Sequence, residues 1–406
     1  MRSSVKVIND PVYGFISLPD PLLLEILDQP VVQRLRRIRQ MGLAHLVYPG
    51  AHHSRLLHAL GALHLASRTL QSFRDKGIFF SDEERLALLA AILLHDVGHG
   101  PFSHALEGGL IPEASHEKLS EAIIQHLIPM PSPIKEMTLS MLRGSYSTPW
   151  FNDMVASQLD MDRLDYLARD SFFTGVSEGV IGAERILSLL TVINGRLAIE
   201  EKGIYSIEKF LIARHLMYWQ VYLHKTVLSA EFHLLLILKR FRTLWENGCP
   251  QVLPHNLRKL LEARSEYERL EAFARMDDTD ISYAVKWWAE EAADPWLKDL
   301  SRRLMNRQLF KTLMLNSPPP PETVGNIRSK IQEKLGVGAD AFYFMTDSLK
   351  NPFYNPTQNP ILIVKKNGEL LPAEEASATI KALAENVRQE KYFLLLPDFV
   401  TEELRL

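Results

Sequence analysis

Apolar residues recur every three to four positions through most of the chain, broken by short clusters of proline, glycine and asparagine, so it reads as a succession of amphipathic helices. A weak two-residue alternation from Val5 to Leu18, carrying Asn9-Asp10-Pro11 and Tyr13-Gly14, predicts a short hairpin or extended arm. Helices follow over Leu22 to Leu27 and Val31 to Met41, divided at Asp28-Gln29-Pro30; the second is apolar through Val32, Leu35 and Ile38 and basic opposite. A longer one runs from Arg55 to Phe73. Ser81-Asp82-Glu83-Glu84 has serine at N-cap and glutamate at N3, a capping box that opens the helix leading to His95. His116 begins another, ended by Pro129, Pro131 and Pro133. Asn194-Gly195 between two apolar triplets signals a two-residue hairpin. A long helical pattern, dense in apolar and aromatic residues, is expected from Ile207 toward Trp245, with further helices to about Arg307, where Trp287, Trp288 and Trp296 read as packing residues.

Near Gln308 the period changes. Leu309 to Leu315 reads as a strand, Glu322 to Leu335 as a helix, Ala341 to Met345 and Ile361 to Val364 as strands, Glu374 to Val387 as a helix and Tyr392 to Leu396 as a strand. That β-α-β-β-α-β order is the split βαβ pattern. The expected architecture is mostly α: a multi-helix core over 1–307 and a small α+β module over 308–406. The linker from Lys350 to Pro356 is too aromatic for a plain spacer.

A length of 406 residues calls for more than one core, and 46% hydrophobic with 23% charged residues is ordinary for a soluble globular protein. A net charge of -3 gives no electrostatic ground for a nucleic-acid partner. The single cysteine, Cys249, excludes an intramolecular disulfide and fits a reducing compartment. The first residues carry no apolar signal core and no apolar run is long enough to span a bilayer, so a cytoplasmic protein without membrane association is expected. Repeats, low-complexity tracts, a Walker A motif and GxGxxG are all missing from the sequence.

The chemistry concentrates in Leu93 to His104, where an apolar helix delivers His95-Asp96, Gly98, Gly100 and Pro101 break it, and His99 and His104 follow. Histidine beside aspartate offers a neutral nitrogen and a hard oxygen to one divalent cation. Taken alone, the pair also fits a buried histidine hydrogen-bonded at a helix end. A metal demands further ligands, and two segments supply candidates. Arg55 and His58, three apart, share a helix face. Asp162, Asp165, Tyr166, Arg169 and Asp170 form a polar stripe against Met161, Leu164, Ala168 and Phe172; a solvated charged face is the competing reading of that segment.

Taken together, RxxH (Arg55, His58), HDxGHGPFSH (His95 to His104), Ser115-His116-Glu117 and DxDRxDYxxRD (Asp160 to Asp170) resemble the HD-domain phosphohydrolases, and most closely the deoxynucleoside triphosphate triphosphohydrolases, from Lys6 to about Lys225. The resemblance implies metal ligation by His58, His95, Asp96 and Asp162. That mixed set suits Fe, Mn, Zn or Mg without choosing among them, with a second Mg on the phosphates. A metal there would polarise a phosphoryl oxygen and activate water. The resemblance makes His116 the acid that protonates the 5′ oxygen, sets His104 on the α-phosphate, and puts His99 near metal and phosphates. Glu107 would orient His104, at a position where the family more often has aspartate. Arg55, Arg163, Arg214 and Lys225 would meet the triphosphate; Tyr166 and Asp170 join the substrate set; Gln40, Met41 and Tyr222 would face the sugar edge. Met41 replaces a leucine, and Leu223 stands where a vertebrate relative has a glutamine. Lys6, Val7, Asp28, Gln33 and Arg36 match the family's nucleotide effector site.

These expectations combine into hydrolysis of dNTPs to deoxynucleosides and inorganic triphosphate, with GTP or dGTP as effector and a homo-oligomer, dimer or tetramer. The alternatives are an HD-type nucleotidase or phosphodiesterase acting on another nucleotide, and a non-catalytic nucleotide sensor. His52, His53, His64, His126 and His215 receive no role and read as surface or packing residues.

Overall fold

The computed structural model of the protein describes residues 6–18, 20–102, 115–249, 252–350, 354–356, 359–386 and 390–404. Strands β1 (Lys6–Asp10) and β2 (Gly14–Leu18) pair antiparallel. Asp10 closes their turn, its Oδ1 accepting from the amides of Val12 and Tyr13 at 2.9 Å. Helix α1 (Pro21–Leu27) starts on an Asp20 cap. The helix expected over Val31 to Met41 is cut short: one turn over Pro30–Gln33 tightens into a 3-10 turn over Arg34–Arg37. Ile38 to Gln40 then run extended beside Ser54, with the Arg55 amide on the Ile38 carbonyl and the Gln40 amide on that of His53. The cause is tertiary. Arg34, part of the basic run in the sequence, is buried and donates to four carbonyls: Phe273 and Met276 through Nη1, Val97 and His99 through Nη2.

Helix α2 (Arg55–Asp75) packs against α3 (Asp82–Leu94), which opens on the expected Ser81–Glu84 capping box. Every residue from Ala87 to Leu94 is buried. Five of them are leucine or isoleucine, and at roughly 1.5–3 kcal/mol apiece they contribute about 10 kcal/mol gross, which fixes the helix that ends at His95. Helix α4 (His116–Leu127) begins on a Ser115 cap. Its first turn lies so close to Gly98 that a Cβ there would stand 2.2 Å from the His116 carbonyl oxygen and 2.3 Å from the Ser120 amide, so only glycine fits. Helix α5 (Met161–Thr174) completes the central layer against α2.

Strands β3 (Leu190–Ile193) and β4 (Arg196–Glu200) form the hairpin expected at Asn194-Gly195, both turn residues having positive φ. The long helix expected from Ile207 to Trp245 is two helices, α6 (Ile204–Met217) and α7 (Lys225–Glu246), the helical segment Glu201–Tyr222 bending by 56° from α7. Between them Tyr218–Tyr222 winds as a π-turn, the Leu223 amide reaching the Tyr218 carbonyl at 2.7 Å, and His224 recaps the chain by accepting from the Thr226 amide. Such insertions re-aim side chains while keeping the backbone bonded. Helices α8 (Asp278–Glu291) and α9 (Pro295–Met305) pack together, α9 also against α7.

The C-terminal strands keep the expected order but divide between two sheets. β5 (Lys311–Leu315) and β6 (Met345–Lys350) flank β9 (Glu390–Leu396) antiparallel, while β7 (Leu362–Val364) and β8 (Leu370–Pro372) extend the β3–β4 hairpin, β7 lying parallel to β4. A single split βαβ sheet would need β7 in the first group, whereas it pairs with β4. Helix α10 (Pro321–Leu335) agrees with expectation; Ala341 to Met345 does not, since Asp340–Tyr343 is a helical turn and the strand starts at Met345. Short apolar runs do not distinguish the two, and Phe342 and Tyr343 are buried on that helical turn. Tyr354 of the aromatic linker is buried and donates to Glu374 at 2.6 Å. Among the described residues no single helix is long and apolar enough to cross a membrane.

Candidate active site

Three elements converge on one point. α2 carries His58, the end of α3 carries His95 and Asp96, and the first turn of α5 carries Asp162. His58 Nε2 lies 3.0 Å from Asp162 Oδ1 and 3.3 Å from His95 Nε2, and His95 Nε2 lies 3.7 Å from Asp162 Oδ1. Asp96 stands beside them, Oδ1 3.4 Å from His95 Nε2, while its Oδ2 takes a 2.5 Å bond from Arg55.

Each imidazole has its far nitrogen committed. His58 Nδ1 faces Asp165 Oδ2 at 2.8 Å and His95 Nδ1 faces the Ile92 carbonyl at 2.7 Å. Both partners only accept, so each Nδ1 carries the hydrogen and both Nε2 lone pairs turn toward the same spot, an arrangement typical of metal-binding histidines. The donor atoms of His58, His95 and Asp162 fall within 4.8 Å of one another, and this set of two nitrogens and carboxylate oxygens fits a divalent cation. Burial opposes charge on His58, but hydrogen bonds with Asp162 and Asp165 outweigh it and push the imidazole up to about 10. Asp162 is held far below the usual carboxylate range, burial being overcome by its bonds to His58 and His95.

His99 and His116 stack face to face, centroids 4.1 Å apart, with His99 Nε2 3.3 Å from Asp96 Oδ1. Burial, reinforced by the neighbouring Arg55 charge, lowers His99 to about 3, so it is neutral near pH 7 and has no proton to spare.

A cleft of about 620 Å³ opens in front of this cluster, within the range of nucleotide-sized ligands. It brings together Gln40, Met41, Arg55, Asp96, His99, His116, Asp162, Arg163, Tyr166, Asp170, Arg214 and Tyr222. Lys225 is not among them; it borders a neighbouring depression against Thr312 to Leu315 of β5. His104 and Glu107 lie outside the described residues. Of the effector candidates, Lys6 Nζ lies 3.8 Å from Asp28 Oδ1, Gln33 reaches the Leu27 carbonyl, Arg36 donates to Gln33 at 2.7 Å, and Val7 is exposed.

Several residues emerge only here. Tyr222 donates to Asp170 Oδ2 at 2.7 Å, and the other oxygen of Asp170 meets His53 Nε2 at 2.6 Å. His53, read from sequence as packing, is buried and stacked on Phe173, and its carbonyl holds Gln40, so two cleft walls hang on it. Asp278 ties Phe102 and Arg39 together through their amides at 2.9 and 3.0 Å. Tyr218 and Glu231 also line the cleft. For Tyr218 the four-residue spacing to Tyr222 was a usable signal; for His53 and Asp278 there was none.

Models of the HD domain and of the HD associated region match residues 55–170 and 181–232. A crystal structure of a phosphohydrolase from Bacteroides thetaiotaomicron superposes with a TM-score of 0.91 at 40% identity, covering 97% of this chain and 99% of that one. The uncharacterized YwfO of Bacillus subtilis is 32% identical over 98% of this chain and 94% of its own length. Human deoxynucleoside triphosphate triphosphohydrolase SAMHD1 is 25% identical over 98% of this chain and 73% of its own; the Bos taurus protein is 31% identical over 55% and 46%.

Proposed function

The chain belongs to the HD-domain phosphohydrolases, and from that premise we propose that it hydrolyses deoxynucleoside triphosphates to deoxynucleosides and inorganic triphosphate. The observation that carries the reading is the cleft itself: three guanidinium groups (Arg55, Arg163, Arg214) at a His/Asp cluster, and a tyrosine wall at Tyr222 and Tyr166. Guanidinium forks suit phosphate oxygens. The names of several curated relatives support the substrate, although the chain spans only about half the length of some of them.

When bound at His58, His95, Asp96 and Asp162, a divalent cation supplies Lewis acidity toward a phosphoryl oxygen. This chain's own residues do the rest. Arg163 and Arg214 hold the triphosphate. His116, at the cleft wall, gives its proton to the 5′ oxygen as a water molecule adds to the α-phosphorus and the P–O5′ bond breaks. Asp170 fixes the Tyr222 hydroxyl, keeping the ring against the sugar edge with Gln40 and Met41. Lys6, Val7, Asp28, Gln33 and Arg36 form a nucleotide effector site on an oligomer interface of a cytoplasmic enzyme, with Lys225 outside the primary phosphate contacts.

Product analysis with dATP and dGTP tests the reading. Inorganic triphosphate plus deoxynucleoside is the expected outcome; phosphate or pyrophosphate would assign the same site to another nucleotide hydrolysis. The effector proposal expects activity to rise with added GTP or dGTP and to lose that response in Arg36→Ala; hyperbolic, effector-independent kinetics would end it.

A further inference from the structure

Behind the His/Asp cluster runs a line of buried charges that ends at the N-terminal hairpin. His58 Nδ1 donates to Asp165 Oδ2 at 2.8 Å. Arg169 grips the same carboxylate with Nε and Nη2, at 2.9 and 3.0 Å, and extends Nη1 to Asp10 Oδ2 at 2.8 Å. All four side chains are at most 1% exposed. Arg169 also lies over the Tyr13 ring, 5.6 Å from its centroid, so the hairpin turn contacts the guanidinium twice.

We infer that Asp10 and Arg169 are positioning residues of the metal centre, and that through them metal occupancy and the order of the β1–β2 hairpin are coupled. The inference rests on the metal reading of the His58 cluster and not on the substrate.

Asp10 does more than a turn requires. Its Oδ1 alone closes the turn, a task asparagine does equally well. The second oxygen is spent on a buried guanidinium, where a neutral amide would leave that charge poorly matched. With His58 neutral and its Nε2 given to a cation, Asp10, Arg169 and Asp165 carry one net negative charge between them. That charge sits behind Nδ1–H, polarises it and makes Nε2 a better donor. Removing the Asp10 charge leaves Arg169 facing Asp165 alone. The pair becomes neutral, and His58 loses its anionic backing. Linkage then runs both ways: whatever tightens the cation tightens the hairpin by the same factor.

The test uses the full chain and Mn2+ alone. Asp10→Asn should weaken Mn2+ binding about tenfold, the lower end for groups that support a ligand. The compensated Asp10→Asn/Arg169→Gln pair, which returns Asp165 its full charge, should recover to within about threefold of the unaltered protein. A purely structural role gives a double variant no better than the single one. Independently, amide exchange across 6–18 in the unaltered protein should slow when Mn2+ is added, so the inference stays testable even where a variant does not fold. Unchanged affinity in Asp10→Asn, or hairpin exchange indifferent to Mn2+ that demonstrably binds, overturns it. An unaltered protein that takes up no Mn2+ overturns the metal reading and this inference together.

Discussion

Gly61→Ala tests the architecture behind the site. Gly61 lies inside α2, three residues after His58, where alanine would ordinarily stabilise a helix by about 1 kcal/mol. Here a Cβ would stand 1.9 Å from Asp165 Oδ1, 2.2 Å from Arg169 Nη2 and 2.7 Å from Asp165 Cγ. Relief needs the buried carboxylate to retreat by more than about 1 Å, which stretches its bonds to both His58 and Arg169. Breaking a buried ion pair costs about 3–5 kcal/mol, so the net loss is about 2–4 kcal/mol after the helical gain. With a melting entropy of about 2.1 cal/mol/K per residue, 406 residues unfolding as one unit give about 0.85 kcal/mol/K, and Tm falls by about 2–5 °C. Calorimetry measures that shift, and metal content with Mn2+ titration measures the site, where affinity should drop about 10- to 100-fold. Gly325→Ala is the control: it lies inside α10 with nothing within 4 Å of its Cβ, and should stabilise. A Gly61→Ala protein as stable as the unaltered one, with full metal, would show that Asp165 is not fixed and that propensity governs both glycines.

Asp162→Ala should lose bound metal and activity while circular dichroism stays nearly unchanged; stoichiometric metal would remove Asp162 from the site. His116→Ala should keep metal yet lose turnover by about two to four orders of magnitude, as for a general acid; metal loss would make it a ligand instead. Burial, partly offset by the amides of Arg39 and Phe102, raises Asp278 from 3.8 to about 6. The folded state therefore keeps that proton to higher pH than the unfolded chain, and the stability it adds is complete below about pH 4 and lost as pH rises through 6. The unfolding free energy of the unaltered protein minus that of Asp278→Asn should fall between pH 4 and 7, and a flat difference would contradict the burial argument. Tyr222→Ala should narrow the dATP-to-ATP ratio of kcat/KM, and His53→Leu, which frees Asp170, should move it the same way with metal retained; a ratio unchanged in both variants would mean the sugar edge lies elsewhere.

What the sequence determined by itself is what short-range geometry controls. The capping box at Ser81, the hairpin at Asn194-Gly195 and the helix starts at Arg55 and His116 follow from backbone bonds that close within a few residues. The candidate ligands were legible for the same reason: His95 and Asp96 are adjacent, and Arg55 and His58 share a helix face. Partnerships across the chain were decided only by the tertiary structure. The basic run at Arg34 to Arg39 looks like a solvated face until four carbonyls, from segments 63 to 242 residues away, surround Arg34. His53 gains its role from Asp170, 117 residues on, and Arg169 from Asp10, 159 residues back. The turn at Tyr218–Tyr222 and the loss of β7 to the core sheet likewise interrupt patterns that are locally consistent. A hydrophobic period records which face turns inward, whereas the partner a buried charge must find there depends on which elements the packing brings opposite it.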